Sequence, residues 1–255
     1  MKKILIILIL NLSLFGYTSI KELKYESGIS IYGQVGFVDL RFEENFDNNT
    51  YKMHAKTTSI GAVKYLSSNR VDKFTSEGKI KNGVYIPLKF TRHTTKTDYE
   101  KSRIYTFDYE NNRVEKKEIT SKMVTKTTFD PASITFTDCK EKVVEENTEI
   151  IEFQQNDFLS LYLNLKHGNL KKGQVPYVDM KEDDKLTLMG KNLFEIQKNH
   201  GEDKYNIVLI DDSNSIFFQK AASVGISFYG DAYIKKVSEK TNIIDQSKDS
   251  ISLNP

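Results

Sequence analysis

Residues 81–90 read Lys81-Asn82-Gly83-Val84-Tyr85-Ile86-Pro87-Leu88-Lys89-Phe90. Asn-Gly is a strong hairpin signal, because both residues tolerate positive φ. The apolar residues Val84, Ile86, Leu88 and Phe90 then recur at every second position, which is the period of a strand with one buried face. The stretch therefore predicts a hairpin that leads into a half-buried antiparallel strand.

The same period spreads outward in both directions. Ile29, Ile31, Gly33, Val35 and Phe37 alternate, and Val38, Leu40 and Phe42 alternate in the opposite phase. A phase slip of that kind predicts a β-bulge or a sharp bend. Tyr51, Met53 and Ala55 resume after the turn-like Asp47-Asn48-Asn49, and Tyr105, Phe107 and Tyr109 lead to a second hairpin candidate at Asn111-Asn112. Val114 onward reads as its partner strand. Phe129 to Glu149 is polar, broken by Asp130-Pro131, and reads as a connection within one domain. Beyond it, Val175 to Asp179, Leu186 to Leu188, Leu193 to Ile196 and Tyr205 to Ile210 read as further strands, and Val224 to Ile234 as a last long one. The expected fold is mainly β, a curved antiparallel sheet or partly open β-barrel with one or two short helices packed on its concave side.

Two segments have helical spacing. Ser59 to Leu66 is short, with Ile60, Val63 and Leu66 three apart. Asn156 to His167 is longer. Asn156 or Asp157 can cap it, and Gly168 follows as a stop. Phe158, Leu161, Tyr162 and Leu165 form one apolar stripe, and these four are the candidate contacts for an apolar ligand. Lys166 falls off the stripe, so its replacement is expected to do little.

The N-terminus carries an address. Met1-Lys2-Lys3 is basic, Ile4 to Phe15 is apolar except for Asn11 and Ser13, and Gly16-Tyr17-Thr18-Ser19 supplies small residues. That is the layout of a cleaved secretory signal. Residues 1–19 are expected to be a signal peptide, 20–239 a single β-rich domain, and 240–255 a polar, frayed tail. The apolar core is about 12 residues, short of the roughly 20 that span a bilayer. No transmembrane span is expected in the mature chain, whose expected location is the periplasm of a Gram-negative envelope.

Charge narrows the partners. The chain has 37 basic and 35 acidic residues, and removal of the leader with Lys2 and Lys3 balances them. A neutral chain lacks the electrostatic footprint of a nucleic-acid binder. Cys139 is the only cysteine, so no internal disulfide forms and packing must supply the stability. Apolar residues make up 38% of the chain, including 15 Phe and 14 Tyr, enough to build a core.

Catalytic signatures are absent from the sequence. His54, His93, His167 and His200 have no second His or Cys at ligand spacing. The acidic pairs Glu43-Glu44, Glu145-Glu146, Asp183-Asp184 and Asp211-Asp212 fall in or beside turns. No catalytic, metal or cofactor residue is assigned and no cofactor is expected. The aromatic strands suit either an ordinary core or the lining of an apolar cavity. The expected function is non-enzymatic binding of an apolar or lipid-like ligand or an envelope partner. The alternatives are an envelope hydrolase with a dispersed active site, and a structural or assembly factor.

The order of these segments resembles the exported bacterial domain-of-unknown-function family 3108. The resemblance rests on Ile31-Tyr32-Gly33-Gln34-Val35-Gly36, the short helix near Ile60 to Leu66, Gly83-Val84-Tyr85-Ile86-Pro87, Tyr105-Thr106-Phe107-Asp108, Asp157-Phe158-Leu159-Ser160-Leu161 and Phe228-Tyr229-Gly230-Asp231. It runs from about Tyr25 to Val237. It implies an exported β-rich domain and transfers no catalytic residue. The chain departs from the family in lacking tryptophan and in its lysine-rich connecting region.

Overall fold

The computed structural model describes residues 17–180, 184–198, 204–224 and 231–245. Among these residues fourteen strands form one antiparallel sheet. They are β1 (Tyr17–Ile29), β2 (Gly33–Asn45), β3 (Thr50–Ser59), β4 (Val71–Lys81), β5 (Val84–Lys96), β6 (Tyr99–Asp108), β7 (Arg113–Asp130) and β8 (Thr135–Glu152), followed by β9 (Gly173–Gln174), β10 (Lys185–Gly190), β11 (Leu193–Gln197), β12 (Lys204–Ile210), β13 (Lys220–Val224) and β14 (Ala232–Asp245). Helix α1 (Gly61–Leu66) follows β3, and α2 (Phe158–Lys166) follows β8.

The sheet is two meanders joined by the chain's two end strands. β8 back to β1 lie in sequence order, β1 pairs with β14, and β14 back to β9 complete the sheet. Its edges are therefore β8 and β9, and the segment between them carries α2. The result is a barrel opened on one side, with a helix in the chain that crosses the opening.

Packing requires the sheet to curl. Leu23 of β1 and Val114 of β7 share one buried cluster with Leu159 and Leu163 of α2. Six strand spacings would separate β1 from β7 by about 29 Å in a flat sheet, far beyond the diameter of one helix. A second cluster places Leu161 and Leu165 against Leu186, Leu188, Phe194, Leu209 and Phe218. The helix is thus a strut between two cores, buried on both sides. Only Phe158, at its start, is half exposed. Tyr25 and Tyr162 tie the clusters together through one backbone site: Tyr25 OH donates to the Phe218 carbonyl at 3.0 Å, and Phe218 N–H donates to Tyr162 Oη at 2.8 Å.

Bulges reset which side chains face inward. In β5, Tyr85, Pro87 and Phe90 are buried while Leu88 is exposed. The register skips Leu88 between Glu77↔Lys89 and Gly78↔Pro87, which inverts the phase there. Of the expected inward run Val84, Ile86, Leu88 and Phe90, only Phe90 reaches the core. A Cβ at Gly78 would overlap the Ile86 carbonyl, so the bulge needs a glycine. The phase slip near Phe37 resolves the same way. A tight turn at Ser30–Tyr32 separates β1 from β2, and the register shifts opposite Ser27 and Gly28.

Several segments differ from the sequence reading. Phe129 to Glu149 is no connection: it belongs to β7 and β8, the two longest strands, with Asp130-Pro131 entering their turn. β6 pairs β7 only as far as Lys122, so the remainder projects as a two-stranded ribbon. Both of its faces meet water, which erases the apolar alternation that would announce a strand. Val175 to Asp179 is irregular, and only Gly173–Gln174 is strand. The expected last strand from Val224 to Ile234 is two strands, β13 and β14, which pair antiparallel; residues 225–230 lie outside the described residues. β14 continues to Asp245, so residues 240–245, expected in the tail, pair with Tyr17–Glu22. α1 buries no residue, and only α2 packs on the concave side.

Candidate functional site

The site begins with a ladder that stops early. β5 and β6 pair from Lys96↔Tyr99 only as far as Lys89↔Thr106. Beyond the Leu88 bulge, Val84–Leu88 has no β6 partner, while Phe107 and Asp108 continue along β7. The strands diverge, and a cleft of about 1080 Å³ opens between them, the segment after β8 and the end of α2.

The orphaned backbone is satisfied from the helix. Tyr85 N–H donates to Asn164 Oδ1 at 2.8 Å, and Asn164 Nδ2 donates to the Tyr85 carbonyl at 2.9 Å. The same amide donates to Asn156 Oδ1 at 3.1 Å. Across the gap, Tyr109 OH donates to the Pro87 carbonyl at 2.8 Å. The apolar walls are Ile86, Leu88, Phe107, Tyr109, Phe153 and Leu170. Tyr109 lies parallel to Phe107 at 6.2 Å and edge-on to Phe153 at 5.2 Å. Burial raises the Tyr109 hydroxyl pKa, and the nearby Asp157 adds to the rise, so the group stays a donor. Charge is confined to the rim: Lys79, Lys81, Asp108, Glu110, Arg113 and Glu115. Asn111 donates to Asp108 from side chain and backbone, and Arg113 joins them, which holds that carboxyl below its usual range.

The helix start is anchored at a fully buried acid. Asp157 Oδ1 accepts from the Leu159 and Ser160 N–H groups at 2.7 and 2.9 Å. Ser160 Oγ returns the bond by accepting from Asp157 N–H, which completes a capping box. The other carboxylate oxygen accepts from Ser76 Oγ of β4 at 2.6 Å, and Ser76 Oγ lies 3.0 Å from Tyr51 Oη. Burial pushes the Asp157 pKa up to about 6, against the hydrogen bonds that lower it.

Of the four residues expected to contact a ligand, Leu161 and Leu165 pack in the second core cluster, and Tyr162 packs beside both clusters. Leu165 also borders a second depression of about 840 Å³ with Leu170 and Leu188. Phe158 lies near Phe74 and Tyr177 at the other end of the helix. None of the four lines the large cleft. Its walls come from the Asn156, Asn164 and Asn169 side of the helix, which apolar periodicity does not mark. Lys166 is also differently placed than expected: its ammonium donates to Asp211 at 2.8 Å and lies 4.9 Å from the Phe218 ring centre.

The histidines are separate. His54 bonds Thr75, His93 bonds Ser102 and Thr95, and His167 lies 3.3 Å from Tyr85 Oη. His200 lies outside the described residues. Among the described residues no group of three or more His, Cys, Asp or Glu is placed to hold a metal ion. Cys139 is exposed on the ribbon.

Residues 22–138 match the family model Protein of unknown function (DUF3108). The match covers β2 to β7 whole, most of β1 and the start of β8. It includes both β-strand walls of the cleft but not α2. Among solved structures the chain is similar to a protein from Brucella abortus described as a beta-barrel-like protein of domain of unknown function DUF1849, at 12% identity and a TM-score of 0.38, over 91% of this chain and 99% of that one. No curated protein matches the chain. No helix among the described residues is long and apolar enough to cross a membrane.

Proposed function

We propose that this protein is an exported, non-catalytic binding protein whose ligand is apolar or lipid-like and lies in the cleft between β5, β6 and the end of α2. The observation that carries the reading is the cleft itself: about 1080 Å³, walled by Phe107, Tyr109 and Phe153, with charge only at its rim. Small-ligand sites are concave, largely apolar and supplied with a few fixed polar groups. Here the fixed groups are Asn156 and Asn164, held by the backbone pairing with Tyr85.

Extraction of the purified protein for co-purifying lipid, and titration with a fluorescent fatty-acid probe, test the reading. Leu88→Glu places a charge at a wall position whose side chain is 38% exposed. It is expected to weaken probe binding about tenfold or more at unchanged melting temperature. A wild type that carries no lipid and binds no probe removes this reading.

Export rests on the basic start, the apolar run and the small residues that follow. Removal of 18 to 20 residues trims the first corner of β1 and leaves Lys21–Ile29 to pair with β2 and β14. N-terminal sequencing of periplasmic protein checks this; a chain that begins at Met1 in the cytoplasm overturns it.

A protein partner is the second reading, favoured by the ribbon. Phe129, Ile134 and Phe136 at its tip are 51, 79 and 74% exposed, and the two rings lie 5.0 Å apart. Replacing Ile134 and Phe136 by serine would abolish partner capture and leave probe binding intact.

A further inference from the structure

At the opposite ends of β5 and β6 the concave face is cationic. The register sets Phe90 opposite Tyr105, then Arg92 opposite Arg103, Thr94 opposite Lys101 and Lys96 opposite Tyr99. Phe90 and Tyr105 are core, so alternation aims the next three pairs at the same concave side. Arg70, just before β4, closes the group. Lys101 lies seven residues from Asp108 along β6, about 23 Å from the cleft end of that strand. The two sites are separate.

Like charges placed directly opposite on a sheet repel. Here one carboxylate spans the first pair. Asp179, from the irregular segment before β10, accepts from Arg92 Nη1 at 2.7 Å, Arg103 Nη1 at 2.8 Å and Tyr105 Oη at 2.9 Å. Asp72 takes both forks of Arg70, and Glu118 takes Arg103 and Lys101. Five cations against three carboxylates leave two positive charges in surplus.

Two of these cations are also less fully engaged than the rest. Arg92 Nε is buried, faces Asp72 Oδ1 at 3.7 Å, and makes no hydrogen bond among the described residues. Lys96 has no ion pair among the described residues, and its ammonium lies 5.8 Å from the centre of the Tyr99 ring. Arg70, Arg92, Thr94, Lys96, Tyr99, Lys101 and Arg103 line an open pocket of about 160 Å³. That is room for several waters. It has room for a tetrahedral oxyanion.

We propose that this pocket binds a phosphate- or sulfate-type oxyanion, free or as the headgroup of a larger molecule. Guanidinium forks match tetrahedral oxyanions in geometry and charge, and an ammonium supplies a further point charge. Arg92 and Arg103, oriented from below by Asp179, form the floor. Lys96 and Lys101 form the rim, and Thr94 lies between them. The surplus of two positive charges is met by a dianion. The proposal is independent of the lipid reading for the cleft, since the sites share no lining residue.

The test is calorimetric titration of the full chain with inorganic phosphate and with sulfate, in a chloride background. One anion is expected to bind per chain. Lys96→Glu reverses charge at a rim residue that makes no ion pair among the described residues, and is expected to weaken binding about tenfold or more with little change in melting temperature. Lys185→Glu makes the same charge change on exposed β10 and is expected to leave affinity unaltered. Arg92→Gln is expected to abolish binding, and Lys96→Glu keeps the test decisive if that variant does not fold. Flotation with phosphatidylcholine vesicles, with and without phosphatidic acid, separates the sources. Vesicle binding that inorganic phosphate displaces identifies a headgroup; phosphate binding without vesicle binding identifies the free anion; either supports the site. Absence of phosphate and sulfate binding, or equal affinity in wild type and Lys96→Glu, overturns it.

Discussion

Asn164 of α2 pairs with both backbone groups of Tyr85 in β5, as a neighbouring strand would. The amide stands in for the β6 ladder that ends at Lys89. One helical side chain therefore holds open the cleft and satisfies the edge that the opening creates. Asn164→Ala would leave a buried N–H and C=O without partners. The expected cost is about 2–4 kcal/mol. Urea unfolding of the two proteins measures it, and probe binding to the cleft is expected to weaken in parallel.

Asp157 makes stability depend on pH in the less common direction. Its folded pKa is raised, from an ordinary 3.8 to about 6. Between those values the folded state holds more protons than the unfolded one, so this group's contribution falls as pH rises from 4 to 6. The whole effect is on the order of 3 kcal/mol. Asp157→Asn keeps the acceptor for Leu159 and Ser160 and offers Ser76 a donor in place of the second oxygen. This variant is expected to be flatter than wild type across that window and more stable at pH 7. Unfolding curves at pH 4.5 and 7.5 decide it. Equal pH slopes would show that Asp157 titrates normally.

Leu161 and Lys166 test the two-sided burial of α2. Leu161→Asp places an unpaired charge in the second core and is expected to cost more than about 3 kcal/mol or to abolish folding. Lys166→Ala is expected to cost about 1 kcal/mol, through the Asp211 pair and the Phe218 ring. The Asp211 pKa, held at about 2 by Lys166 first and then by Asn192, would move up toward the ordinary range in that variant. Thermal melting and an NMR titration of the Asp211 side chain report the two effects.

Gly78 and Gly190 differ in what surrounds them. A methyl at Gly78 overlaps the Ile86 carbonyl and approaches the Pro87 backbone, which cannot turn aside as a side chain can. Gly78→Ala is expected to cost more than about 2 kcal/mol. Gly190 has open space around the same position, and Gly190→Ala is expected to stay within about 1 kcal/mol of wild type. Chemical denaturation of both variants checks the contrast, and with it the Leu88 bulge that opens the cleft.

The sequence by itself determined the elements that rest on local chemistry. Asn82-Gly83 and Asn111-Asn112 make their hairpin turns because Asn82, Gly83 and Asn112 adopt positive φ there. Asp157 caps α2 and Gly168 follows it, also at positive φ. Period-two apolar runs in β3 and β6 gave the mainly β class. The tertiary structure alone decided the rest. A bulge moves a whole run to the other face through one unpaired residue, so Leu88 could not be read as exposed from its neighbours. The β7–β8 ribbon was hidden because water on both faces leaves no apolar period. Arg92, Arg103 and Asp179 look like three separate surface charges along the chain, and only the β5–β6 register with the irregular segment before β10 brings them together. The cleft is likewise set by where a ladder ends. Local signals depend on a few neighbouring residues, whereas register, bulges and ladder ends depend on strands far apart in the chain.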